Sequence, residues 1–72
     1  MCLAIPAQVE LIDGRKGTVV LEGSRAEVVL SLVPEAKVGD WVLVHAGYAI
    51  TVLDEKDARE TYALMKEADL LR

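Results

Sequence analysis

The chain has 72 residues, enough for one domain, and 53% of them are apolar. Its net charge is −4 at pH 7, and it has no cluster of Lys and Arg that could neutralise nucleic-acid phosphates. The length therefore allows only one domain, and the charge excludes a nucleic-acid partner. The lack of an apolar run of ~20 residues argues against a membrane span.

The first part of the chain predicts three short strands. Residues 3–12 form the first, with Pro6 at its beginning or at a sheet edge, because proline has no N–H to donate. Strand alternation places Ala7, Val9 and Leu11 on one face. Turn dipeptides Asp13-Gly14 and Gly23-Ser24, with Gly17 as a further flexible point, separate this strand from those predicted at 18–22 and 25–30.

Two more strands follow a loop at residues 31–39. They are predicted at 40–45 and 48–53 and are hinged at Gly47. Five short strands with turn signals every eight to twelve residues are typical of a small barrel or sandwich. Residues 1–53 are therefore predicted to form a mainly β unit, and closure into a barrel would remove exposed strand edges.

After Leu53 the hydrophobic period changes from two to nearly four residues, which predicts a helix over 55–71 within a segment at 54–72. Asp54 is a good N-cap. The predicted apolar face is wide and can dock on the barrel or on a partner. It combines two sets of residues at helical spacing: Ala58, Tyr62 and Met65, and Leu64, Ala68 and Leu71.

Cys2 is the only cysteine, so no disulfide can form within the chain, which fits a soluble protein of the reducing cytoplasm. Removal of Met1 would leave an α-amine and a thiol on one residue. These two donors can chelate a metal, and a neighbouring ammonium favours the thiolate. The alternative is that Cys2 is a small buried hydrophobic residue.

His45 is the only histidine, and in a strand it shares a face with Trp41 and Leu43. It is either a hydrogen-bonded structural residue or a neutral imidazole offered to a metal. One Cys and one His supply only half of a tetrahedral zinc site, so any metal site is expected to be shared with a partner. A Cys–His nucleophile pair would lack an obvious third group to orient the imidazole.

Two segments of the chain together resemble the motifs of one known protein family. Residues 1–9 (MCLAIPAQV) resemble the N-terminal signature of the HypC/HupF hydrogenase assembly chaperones. Residues 39–50 (GDWVLVHAGYAI) resemble that family's strand Val-His-x-Gly-aromatic-Ala, and residues 57–64 (DARETYAL) resemble the opening of its helix. The similarity covers essentially the whole chain.

This resemblance implies a small OB-like β-barrel followed by one C-terminal helix, without enzymatic activity. It implies a role in the maturation of [NiFe]-hydrogenases, in which the chain binds the scaffold protein HypD while an Fe(CN)₂(CO) unit is assembled. The chain then accompanies the iron to the large-subunit precursor, so the iron is transient and shared. Cys2, after loss of Met1, is implied as the thiolate ligand and His45 as its companion.

The same resemblance implies a surface for these partners. Its expected residues are Cys2, Leu3, Ile5, Pro6, His45, Gly47 and Tyr48. Two further classes of function stay open: a protein-interaction adaptor without a metal role, and a thiol enzyme with an N-terminal nucleophile. An OB-type nucleic-acid module is rejected, because only three aromatic residues are available and the chain is acidic.

Overall fold

The computed structural model describes residues 4–67, with the backbone alone for Lys66 and Glu67. Over this range the strands close into a barrel in the order β1-β2-β3-β5-β4. The mainly β barrel with a C-terminal helix is thus confirmed, and the sandwich is excluded. The elements are β1 (Ile5–Asp13), β2 (Lys16–Leu21), β3 (Ser24–Val29), β4 (Trp41–His45), β5 (Tyr48–Leu53) and α1 (Glu55–Glu67).

Strand β1 is shared between two neighbours. Its first four residues, up to Gln8, pair with β4, and the stretch from Gln8 to its end pairs with β2. Val9 adds two backbone bonds of 2.8 Å to the loop before β4, donating to Asp40 and accepting from Gly39. Pro6 lies before the β2 ladder begins, so its missing N–H leaves that ladder intact, as expected for a proline near the beginning of a strand.

The predicted alternation along β1 is wrong at Leu11. The register shifts between Val9 and Leu11, which is the signature of a β-bulge that inserts one extra residue, Glu10. Since side chains alternate with a period of two, this insertion moves the following residues to the opposite face. Leu11 is consequently 57% exposed, whereas Ile12 packs against the core.

Both early hairpins turn where the sequence predicts, displaced by one residue. The first turns at Gly14-Arg15, one residue later than predicted, and the second at Glu22-Gly23, one residue earlier. Glu22 and Gly23 have φ angles of 50° and 82°, the left-handed pair that a type I′ turn requires.

Gly17 is not the flexible point that its sequence position suggested. It lies buried inside β2, and its φ is not in the left-handed region. A Cβ at this position would lie 2.6 Å from Cδ1 of Leu30 and 2.7 Å from the backbone oxygen of Leu11. Gly17 is therefore needed for close packing between β2 and its neighbours, and a side chain has no room there.

The core is built from small aliphatic side chains, which suit the narrow interior of a five-stranded barrel. Leu30 and Val33, at the beginning of the loop after β3, fold inward and cover part of it. The full buried cluster is Ala7, Val9, Val19, Val28, Leu30, Val33, Val42 and Ala49.

Helix α1 begins as predicted and packs on β1 and β4. Oδ1 of Asp54 accepts a bond of 2.7 Å from the N–H of Asp57, which confirms the N-cap. Ala58 is fully buried, but Leu64 is 67% exposed, so the face docked on the barrel is narrower than expected. The predicted residues Ala68 and Leu71 lie outside the described part of the chain. No helix within residues 4–67 is long and apolar enough to cross a membrane.

Replacing Gly17 with Ala should lower the free energy of unfolding by about 1–3 kcal/mol, because the new methyl group overlaps a backbone oxygen that cannot move aside. Urea denaturation followed by circular dichroism measures the loss. Gly14→Asn is the matched control, because nothing lies within 4 Å of a Cβ there. Asn tolerates left-handed backbone, so its cost should stay below about 1 kcal/mol. Equal costs at the two positions would contradict the packing role.

Asp54→Ala should cost about 1 kcal/mol of stability, because the N–H of Asp57 loses its acceptor at the helix end. The same denaturation experiment measures this. Glu60→Ala, at an exposed position within α1, should change stability by no more than about 0.5 kcal/mol. An unchanged midpoint for Asp54→Ala would show that the cap does not hold the helix.

Candidate functional site

The described candidate residues meet at one end of the barrel. Ile5, at the beginning of β1, lies opposite Val44 near the end of β4. His45 follows Val44 and lies opposite Tyr48, at the beginning of β5. We call this region, residues 4–6 and 43–48, the His45 end. Cys2 and Leu3 lie outside the described residues.

The turn that follows His45 is fixed against β3. Ala46 and Gly47 have φ angles of 55° and 86°, which match a type I′ turn. The oxygen of Gly47 accepts a bond of 2.9 Å from the N–H of Val29. Left-handed backbone is uncommon for a residue with a side chain, and Ala46 adopts it here. The turn thus sets His45 and Tyr48 directly opposite one another.

His45 is half-buried on the outer face of the barrel wall. Val42 belongs to the core and Val44 packs against it, so strand alternation places Trp41, Leu43 and His45 on the other face, as predicted. Within residues 4–67, no group of three or more His, Cys, Asp or Glu side chains is placed to hold a metal ion. The imidazole is therefore at most part of a metal site that other groups complete.

The remaining described candidates differ in how accessible they are. Tyr48 is 48% exposed, Gly47 is exposed, and Ile5 is half-buried. Pro6 is almost completely buried on the wall where α1 packs, so it acts on this surface by holding the backbone extended. The role predicted for Pro6 in partner binding stays a prediction.

An apolar cleft of about 330 Å³ opens beside the His45 end. Sequence reasoning missed it, because its walls come from four strands and no local pattern marks them. The apolar side chains that line it are Ile5, Ala7, Val19, Leu21, Ala26 and Val44. Glu22, Ser24 and Arg25 form its polar rim.

The rim includes an ion pair that joins β3 to β1. Nε of Arg25 lies 2.7 Å from Oε2 of Glu10, and a second guanidinium nitrogen lies 3.0 Å from Oε1. This bidentate hydrogen bonding lowers the pKa of Glu10 and raises the pKa of Arg25. Glu10 is the bulged residue of β1, so the bulge directs this carboxylate to Arg25.

A second polar contact joins the helix to the β2–β3 turn. The phenol of Tyr62 interacts with the carboxylate of Glu22. This interaction is the largest cause of a raised pKa for Tyr62, and burial adds to it, because both favour the neutral phenol. The left-handed turn residue Glu22 is thus linked to α1 at the edge of the cleft.

Fold and site together define a small closed β-barrel with a C-terminal helix, which holds one histidine at an open end beside an apolar cleft. The HupF/HypC family model matches residues 1–65, and the chain belongs to this family.

Several named relatives are similar in sequence to this chain over most of its length. A protein of Cupriavidus necator named "Hydrogenase maturation factor HypC" is 47% identical over 70 residues, covering 96% of this chain and 78% of the relative. One from Rhizobium leguminosarum bv. viciae with the same name is 46% identical, covering 93% and 91%. The protein of that name from Escherichia coli (strain K12) is 40% identical, covering 85% and 74%.

Stability should fall at alkaline pH in a way that depends on Tyr62. Its pKa in the folded chain is raised above the ordinary value of 10.0, so the stabilising effect is complete below pH 10. The effect is lost as pH rises from there through the folded-state pKa. Thermal unfolding between pH 8 and about 12 should show a steeper fall for the parent chain than for Tyr62→Phe. Tyr48→Phe is the control and should keep the steep fall; equal slopes for Tyr62→Phe and the parent would contradict a stabilising Tyr62–Glu22 interaction.

Proposed function

We propose that the chain is a hydrogenase maturation chaperone. It helps to assemble the Fe(CN)₂(CO) unit with HypD and delivers this unit to the large-subunit precursor of a [NiFe]-hydrogenase in the cytoplasm. Membership of the HupF/HypC family and the names of the relatives support this role. The observation that carries the metal role is the position of His45, one residue beyond the pair formed by Ile5 and Val44.

The proposal requires the two metal donors, Cys2 and His45, to lie within reach of each other. If the β1–β4 register continues by one step beyond Ile5 and Val44, it places Ala4 opposite His45. Cys2 is two residues before Ala4, and an extended chain spans at most about 7 Å over that distance. One metal ion can therefore be bound by the sulfur of Cys2 and the imidazole of His45, residues 43 positions apart in sequence.

The donor chemistry suits transient binding of the iron unit. A soft thiolate is a suitable ligand for low-spin iron with cyanide and carbon monoxide ligands. A thiolate and an imidazole leave coordination positions that HypD, and later the large-subunit precursor, can fill. Because the iron is cargo, incomplete coordination by this chain allows release. The chain acts by binding and not as an enzyme in this proposal.

Cys2→Ala should abolish hydrogenase activity in cells that carry only this variant, because the thiolate ligand is lost.

His45→Ala should lower the iron content of the purified complex with HypD, measured by mass spectrometry of the native complex and by the infrared bands of the cyanide and carbonyl ligands. His45→Ala should change the free energy of unfolding by no more than about 1 kcal/mol, since His45 does not belong to the buried cluster.

Thr51→Ala is a matched control on an exposed position of β5 and should leave activity and iron content unchanged. Normal hydrogenase activity with Cys2→Ala would exclude the metal role and favour an adaptor that only joins proteins. Unchanged iron in the His45→Ala complex would return His45 to a structural role.

A further inference from the structure

Strand β3 has one paired edge and one edge that is mostly open. Towards β2, all six of its residues are in register, whereas towards β5 only Val29 pairs, opposite Tyr48. In an antiparallel ladder, successive residues direct their N–H and C=O groups alternately towards and away from the partner strand. The N–H of Val29 points away from β2, because it bonds to Gly47.

The same alternation assigns the backbone groups earlier in β3. Arg25 and Glu27, two and four residues before Val29, also direct their N–H and C=O groups away from β2. Within residues 4–67, no strand pairs with them on that side. We call this pair of residues the open edge of β3. Unpaired edges of this kind are templates for another extended chain.

The open edge borders the apolar cleft. Side chains of Ser24 and Ala26 line the cleft on the β3 side, while Ile5 and Val44 line it on the other. A strand laid along the open edge would direct every second side chain into this space. Since about 150 Å³ holds one benzene-sized group, the cleft of about 330 Å³ can hold about two apolar side chains.

The charges around the open edge of β3 indicate which residues a strand bound there should contain. Arg25 is paired with Glu10, so its positive charge is already compensated. Glu27 is exposed on the outer face of β3, and Glu22 adds a second carboxylate at the rim. The surroundings of the open edge are thus net negative, and they favour Lys or Arg at the outward positions of a bound segment.

We propose that the open edge of β3 and the adjoining cleft bind an extended segment of a partner protein by strand addition. The segment has Val- or Leu-like side chains at alternate positions, which enter the cleft, and basic residues between them. Backbone bonds to Arg25 and Glu27 give the affinity, and the cleft gives the selectivity. The inference does not depend on iron binding at Cys2 and His45.

Amide hydrogen exchange of the full chain tests this site residue by residue. The probe is a peptide of about seven residues, with valine at alternate positions and lysine between them. In the free protein, the amides of Arg25 and Glu27 should exchange faster than those of Ala26 and Val28, which face β2. At a peptide concentration of about nine times Kd, exchange at Arg25 and Glu27 should slow about tenfold.

Two variants test the edge and the cleft separately. Glu27→Pro removes an outward N–H without removing a bond to β2 and should weaken peptide binding at least about tenfold, as measured by calorimetry. Glu27→Thr keeps that N–H and should weaken binding by less than about threefold, because a surface charge is screened. Ala26→Leu places a larger side chain in the cleft and should abolish peptide binding. This variant keeps the test valid if Glu27→Pro does not fold.

Several results would overturn the proposal. Failure of the peptide to slow exchange at Arg25 and Glu27 would do so, as would full binding by Ala26→Leu. Protection of these amides in the free protein would show that the edge is already covered. An increase of that protection with protein concentration would identify a second copy as the occupant. Its loss on deletion of residues 1–3 or 68–72 would identify the chain's own ends.

Discussion

The barrel depends on the double pairing of β1. This strand pairs with β4 up to Gln8 and with β2 from Gln8 onward, so the two halves of the sheet are joined through one short stretch of backbone. The bulge at Glu10 lets the strand bend and still present Ile12 to the core. A strand with unbroken alternation would present Leu11 to the core and turn Ile12 outward.

The same closure places the candidate metal donor. Because the beginning of β1 pairs with the end of β4, His45 lies at the barrel end where β1 begins. The type I′ turn at Ala46-Gly47 is held by the backbone bond to Val29. A histidine on a short, fixed hairpin is well positioned for a site that another protein must complete, since little conformational entropy remains to be lost.

The seam between β3 and β5 is the weakest part of the closure, with a single residue pair. It leaves one edge of β3 open beside an apolar cleft, next to the His45 end. Within residues 4–67 the chain thus carries two adjacent surfaces: the His45 end, with its single imidazole, and an apolar cleft bordered by the open edge of β3. For a proposed chaperone, both surfaces can be engaged by partners at the same end of the barrel.

Local chemistry was enough to predict the strands, the turns within one residue and the N-cap at Asp54, since turn residues, capping side chains and hydrophobic period act over a few neighbours. The outward position of Leu11, the packing role of Gly17 and the cleft could not be predicted in this way. Each depends on residues far apart in sequence: the register of β1 against β2, the approach of Leu30 to Gly17, and the convergence of four strands. The sequence by itself determined which residues form each element and the family to which the chain belongs. Tertiary structure decided which of those residues face the core, the cleft or the solvent, because the burial of a side chain depends on which strands pair and in what register.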